Sequence, residues 1–197
     1  MLDRYIVEIV ETYDLCPWSR SAREGGEVGV DVLWGTPTID MWVAAAERLL
    51  AVKTTRVAMV VAPESPCTSE ELRVVRDEVS ARVKEVGVAH FHPDAPLDLA
   101  SAPRLVPFLR RSPDPLLQLV PLAILDSIRG GTTVSNLTLA EMLSTTMPPV
   151  KADVADMIAD TNHARVSRDA AAIQATLADI RADRERSYAH AKISTSR

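Results

Sequence analysis

The chain has 197 residues, 47% apolar and 25% charged, with a net charge of −5. This is the make-up of an ordinary globular protein, long enough to bury a core without disulfide or metal staples. The acidic balance, with no block of Lys and Arg, argues against nucleic-acid binding, which needs cations to displace phosphate counterions.

"MLDRYIVEIVETYDLCPW" opens the chain. Ile6, Ile9, Val10 and Tyr13 recur at helical spacing, so residues 2–14 are expected to form a helix. The residue before Pro17 is pushed out of the helical region, and Pro17 itself can open a short second helical turn. Asp3, Glu8 and Glu11 interrupt the apolar stretch, so no secretory leader is expected. No apolar run approaches the ~20 residues that span a bilayer, so no membrane association is expected. A cytoplasmic protein follows, with Cys16 and Cys67 as thiols.

Val28 to Gly35 has the pattern of a strand, and "TPTIDMWVAAAERLLAV" that of a helix with a proline near its first turn. Arg56 to Pro63 is a continuous apolar run, as in a strand buried on both faces. "SPCTSEELRVVRDEVSARVKEVG" is the best-marked helix, with cap candidates Thr68 and Ser69, acids in its first turn and Gly87 just past its end. "VAHFHPD" then supplies a third strand. The order β-α-β-α-β, with connections long enough for right-handed crossovers, predicts an α/β fold with a small, mainly parallel sheet of three to four strands. A proline-rich connection from Pro93 to Pro115 holds one or two helical turns in "APRLVPFLRRS". "LLQLVPL" is a fourth strand, placed at an edge because of Pro121. "RGGTT" at 129–133 is a turn. From about Leu137 onward the pattern is helical, first in "LTLAEMLSTT" and then over 150–191. Two units are expected: an α/β core over residues 1–135 and a helical extension over 136–197 packed on it. Ile173, Leu177 and Ile180 form the stripe for that packing, with a homodimer contact through these helices as the alternative.

Chemistry-bearing residues concentrate in the turns. Alternate side chains of a strand share a face, so His90, His92 and Asp94 could point the same way. Two imidazoles and a carboxylate suit a transition metal such as zinc or iron. Cys16 lies before a proline and a helical turn, a setting that can lower a thiol pKa; a small buried hydrophobe is the plainer alternative. Arg110 and Arg111, followed by Ser112 and a stiff Pro113–Pro115 turn, offer guanidinium forks for a carboxylate or phosphate. No phosphate-binding glycine loop and no Gly-x-Ser-x-Gly elbow occurs.

Taken in order, "DLCPWSR", "FHPDAPLDL" and "RRSPDPLLQLV" resemble an uncharacterised bacterial family known as domain of unknown function 1415. The resemblance spans about Tyr5 to Val120. Leu15, Cys16 and Pro17 match its first motif, with Trp18 at its aromatic position. Phe91, His92 and Pro93 match the second, and Arg111, Ser112, Pro113 and Pro115 the third. His90, Arg110, Asp114 and Gln118 depart from it: the family usually has a small polar residue, an asparagine, an aromatic residue and a histidine there. The resemblance implies a site around these motifs and names no reaction.

Three functions remain open from the sequence. The first is an enzyme acting on a small anionic molecule. Cys16 would be its nucleophile or redox thiol, His92 its base or acid and Asp94 the residue orienting His92. Arg111, with Arg110, Ser112 and Trp18, would hold the substrate. The second is a metal- or haem-binding sensor using Cys16 and His92, with His90 as a further ligand. The third is a non-catalytic scaffold.

Overall fold

A computed structural model of the chain describes residues 1–130 and 154–195, with side chains over 1–126 and 157–189. The expected turn at 129–133 (beyond its first residues), the helix in "LTLAEMLSTT" and the first residues of the last helix lie outside the described residues.

The architecture is α/β, as the pattern of elements predicts, but the sheet is mixed. The strands are β1 (Val28–Val32), β2 (Val57–Val61), β3 (Val86–Phe91) and β4 (Leu116–Pro121), in the order β1-β2-β4-β3. β1 and β2 pair in parallel, while β4 runs antiparallel to both β2 and β3. β1, β2 and β3 therefore point the same way, as the β-α-β-α-β order requires. β4 is inserted between β2 and β3, which separates the two strands expected to be neighbours. The placement of β4 at an edge is likewise overturned. Leu116, Leu117 and Leu119 are almost wholly buried, which only a central strand provides. Pro121 is tolerated because it is the last residue of the strand, where the ladder ends and no further N–H is needed.

Helices α3 (Ile39–Leu50) and α4 (Ser69–Arg82) carry the two crossovers and cover one face of the sheet. Trp42, Ala45, Ala46, Leu72 and Val79 pack there on Ala58, Val60, Leu117 and Leu119. Small residues in both layers let helix and sheet approach closely. α3 starts at a Thr38 cap rather than at Pro37. α4 starts with a capping box: Thr68 accepts from the Glu71 N–H, and the Glu71 carboxylate accepts from the Thr68 N–H. Gly87 does not close α4, which ends at a Val83 cap; it lies within β3. A Cβ on Gly87 would meet the end of the Leu125 side chain of α6 (Leu122–Gly130) at 2.7 Å, so any other residue there would make Leu125 move aside.

The other face is covered by three elements: the N-terminal helix, α5 (Ala102–Leu109) and α7 (Val154–Thr195). The N-terminal helix begins as α1 (Leu2–Tyr5) and continues without a break into a π-helical stretch, Ile6–Glu11. Its wider turns are closed by bonds from the Thr12 N–H to the Val7 carbonyl and from the Leu15 N–H to the Val10 carbonyl. A short α2 (Ser19–Glu24) follows, fastened back by Arg23, which pairs with the buried Glu11 at 2.7 Å. α7 buries Val166, Ile173 and Ile180 against Tyr5, Ile6, Ile9, Leu105 and Phe108. Each such side chain contributes about 1.5–3 kcal/mol on burial. Polar contacts fix its register. Arg4 reaches Asp179 and Asp183 at 2.8 and 2.9 Å. Asn162 donates to the Leu15 carbonyl at 2.9 Å. Arg184 and Tyr188 both bond the buried carboxylate of Asp114. Among the described residues, no helix is long and apolar enough to cross a membrane.

Candidate functional site

The N-terminal helix does not lie flush on the sheet. Between them is a cavity of about 330 Å³. The sheet contributes Met59, Ala89, Phe91, Leu116 and Gln118, all on the face turned away from α3 and α4. Leu2, Tyr5, Ile6 and Val10 form the opposite wall. The loop after the helix closes one end with Leu15, Cys16 and Trp18, and Arg110, at the carboxyl end of α5, is the single charged side chain lining the cavity.

Each expected site residue has a definite place. Cys16 is in this cavity, where the backbone N–H groups of Trp18 and Ser19 favour its thiolate. Burial outweighs them and pushes the thiol pKa up, with the nearby Asp14 adding to the rise. The lowered pKa expected from the proline-led turn is therefore not realised, because the apolar surroundings cost the thiolate more than two N–H dipoles return. Trp18, 39% exposed, stands at the rim.

His92 is not beside Cys16. His90 faces α4 across the sheet from the cavity, since its strand neighbour Ala89 lines the cavity and side chains alternate. His92 follows His90 to that side and is almost fully buried. Its Nε2–H donates to the Cys67 carbonyl at 2.9 Å, and its Nδ1 accepts from the Asp94 N–H at 3.2 Å. That assignment fixes a neutral tautomer with both nitrogens engaged. His92 thus has no lone pair turned toward a thiol, a metal or a haem. The Asp94 carboxylate does not orient His92; it is exposed and lies 3.5 Å from Arg181 of α7. Pro93 breaks the alternation after β3, so the His90–His92–Asp94 ligand set does not assemble. Among the described residues, no three of His, Cys, Asp and Glu gather as a metal group.

The arginine pair divides. Arg110 lies in the wall of the cavity. Arg111 lies over the Phe108 ring at 5.4 Å and lines a separate cavity of about 250 Å³ against α7. Ser112 is buried and donates its hydroxyl to the Asp114 carbonyl, so it braces the turn. Asp114 explains itself in the same way: at this position a carboxylate serves as the anchor for Arg184 and Tyr188 of α7.

Among the described residues, Arg110 makes no side-chain hydrogen bond and no ion pair. Burial, and then the neighbouring Arg76, hold its pKa below the ordinary arginine value, while Tyr5 opposes them. Tyr5 donates to the Leu109 carbonyl at 3.1 Å, and burial raises its phenol pKa strongly. The Gln118 amide faces the cavity from the central strand and is likewise without a hydrogen-bond partner among the described residues. Tyr5 was invisible as a site residue in the sequence, where it fell outside the apolar stripe. Arg110 was expected as an anion holder beside Arg111, whereas Gln118 was visible only as a departure from the family's pattern.

Comparison with known proteins gives no match: no family model, no curated protein and no solved structure.

Proposed function

We propose that the protein binds a small, largely apolar molecule bearing one anionic group, in the cavity between the sheet and the N-terminal helix. One observation carries this. A mainly apolar cavity of about 330 Å³ has a single charged side chain in its wall, and that guanidinium has no partner among the described residues. A cavity of this size with a few convergent polar groups is the usual form of a small-molecule site. A guanidinium cannot shed its charge at ordinary pH, so leaving it half-buried and unpaired is costly until an anion arrives. Gln118 adds a neutral donor and acceptor for a second oxygen, and Cys16 a soft contact for the apolar body. The resemblance to domain of unknown function 1415 fits this proposal, because Leu15, Cys16 and Trp18 of its first motif and Phe91 of its second line one cavity.

The thiol enzyme keeps its thiol and an anion holder in this site, in Arg110 rather than Arg111, but loses its base to the other side of the sheet. Binding therefore has more support than thiol catalysis. A cytoplasmic setting is part of the proposal, supported by two unpaired cysteines.

Decanoate, titrated calorimetrically against decanol, tests the proposal. Saturable decanoate binding is expected, weakened at least tenfold in Arg110→Gln, with decanol binding unchanged by that substitution. Bound decanoate should also slow alkylation of Cys16 by N-ethylmaleimide. Failure of decanoate to bind, or alkylation of Cys16 at an unaltered rate, would overturn it.

A further inference from the structure

Arg110 also walls a second cavity, of about 70 Å³, on the far side of the sheet at the start of α4. Its polar wall is Ser69, His90, His92 and Arg110. His92 is spent on backbone partners, as above. The rest of the wall is short of acceptors. The His90 Nδ1 is buried without a hydrogen-bond partner. Outside that wall, Arg76, about two turns into α4, has its Nε buried without a hydrogen bond as well; Asp77 lies 3.0 Å away as an ion pair but out of line for one. Arg110 has no partner at all among the described residues.

The charges around His90 are uneven. Arg73 and Arg76 of α4 and Arg110 after α5 all disfavour its protonation, and burial does so most. Two acids of α4 stand nearby. Glu70 is held by Arg73 at 2.9 Å, and Asp77 by Arg73 at 3.3 Å besides Arg76. Their charge is thus already committed. Cations in mutual repulsion, with buried donors lacking acceptors, are an arrangement that folding alone does not favour and that an anion resolves.

We propose that this cavity is a seat for a small tetrahedral oxyanion, inorganic phosphate or sulfate, held by the Arg110 guanidinium, the His90 imidazole and the Ser69 hydroxyl, with Arg76 beside it. The wall selects the class: the cavity is small, and its polar side chains are ones that pair with an oxyanion. A forked guanidinium suits two oxygens of a tetrahedral anion. The first turn of α4 adds the partial positive charge of a helix start, a secondary contribution because Glu71 already caps it. The inference rests on Arg110 as a ligand-facing residue of the proposed function, but on its other side and with a different occupant.

Calorimetric titration of the full chain with inorganic phosphate, at ionic strength held constant with sodium chloride, is the test. Saturable one-to-one binding is expected, weakened at least tenfold by Arg110→Gln and by His90→Gln. It should be unaltered by Arg48→Gln, whose guanidinium pairs with Asp31 on the surface. In the wild type, the His90 imidazole ¹⁵N resonances should move on phosphate addition. Those of His163, which bonds the Leu99 carbonyl from α7, should not. This second readout stands if a variant fails to fold. A stationary His90 signal, a response no greater than to chloride, or equal weakening by Arg48→Gln would overturn the seat. Decanoate titrations on the same samples separate the two proposals. Decanoate binding without phosphate binding overturns the oxyanion seat alone; phosphate binding without decanoate binding overturns the larger site alone.

Discussion

The two faces of the sheet are built on different plans. Under α3 and α4, alanine and valine meet alanine, and Ala45, Ala46, Ala58 and Val60 have no exposed surface. Under the N-terminal helix, larger side chains hold the cover away from the strands and a cavity of about 330 Å³ remains. The first face is closed mainly by apolar contact, with the ion pairs Arg82–Asp40 and Arg48–Asp31 at its exposed margin. The second is held by ion pairs and hydrogen bonds at its margins: Glu11 with Arg23, Arg4 with two aspartates of α7, and Asp114 with Arg184 and Tyr188. Close packing leaves little empty space, whereas a cover fixed at its rim can leave more, and the Gln118 amide, without a hydrogen-bond partner among the described residues, lies on the side that does.

The sharpest way to break this contrast is to cut the rim. Asp114→Ala leaves the Arg184 guanidinium in a poorly hydrated place, where only the Pro63 carbonyl still accepts from it. The expected loss is about 3–5 kcal/mol, the cost of orphaning one member of a buried pair. Urea unfolding measures it, and amide exchange should show the loss first in α7 and the N-terminal helix, with α3 and α4 protected to the end. Uniform loss of protection would mean that the two faces are not separately held. The next largest effect compares two alanines of one sheet. Ala58→Leu pushes three heavy atoms into the closed face and should cost about 1–3 kcal/mol. Ala89→Leu points the same atoms into the cavity. It should be neutral in stability and abolish decanoate binding. Equal costs at the two positions would show the cavity to be filled or collapsed in solution.

Much of the α/β class was legible because it rests on local signals. The Thr68 capping box, the apolar run at Val57–Val61 and the alternation leading to His90 each say what the chain does over a few residues. What was not legible is pairing between distant segments. Nothing in "LLQLVP" states that it inserts between β2 and β3; only the burial of Leu116, Leu117 and Leu119 on both faces does, and burial is a tertiary property. The same holds for the site. The motif residues Cys16 and His92 looked like a pair because they share a family pattern, yet a single pleat puts them on opposite sides of one strand. The π-helical stretch that carries Ile6 and Val10 to the cavity has no composition signal, since the same residues would serve an α-helix. Arg110 and Arg111, adjacent in sequence, serve different cavities because the chain turns at the end of α5.

The smallest expected effect tests the chemical state of the open face. Burial raises the Cys16 pKa, so the folded protein keeps this thiol protonated at pH values where the unfolded chain has begun to ionise. The folded state then binds more protons than the unfolded state, and stability must fall as pH rises. The contribution of Cys16 is fully present below the unfolded thiol pKa of about 8.5 and is lost as pH climbs through the raised folded value. In a Cys67→Ser background, unfolding free energy should decline across that window more steeply than in a Cys16→Ala, Cys67→Ser variant. Alkylation of Cys16 in the native state should lag that of the same residue in urea, with the lag widest near neutral pH. If native Cys16 instead reacted faster than the unfolded chain, its thiolate would be stabilised where it lies. The cavity would then be a site of thiol chemistry, with a base or cation supplied by the ligand itself.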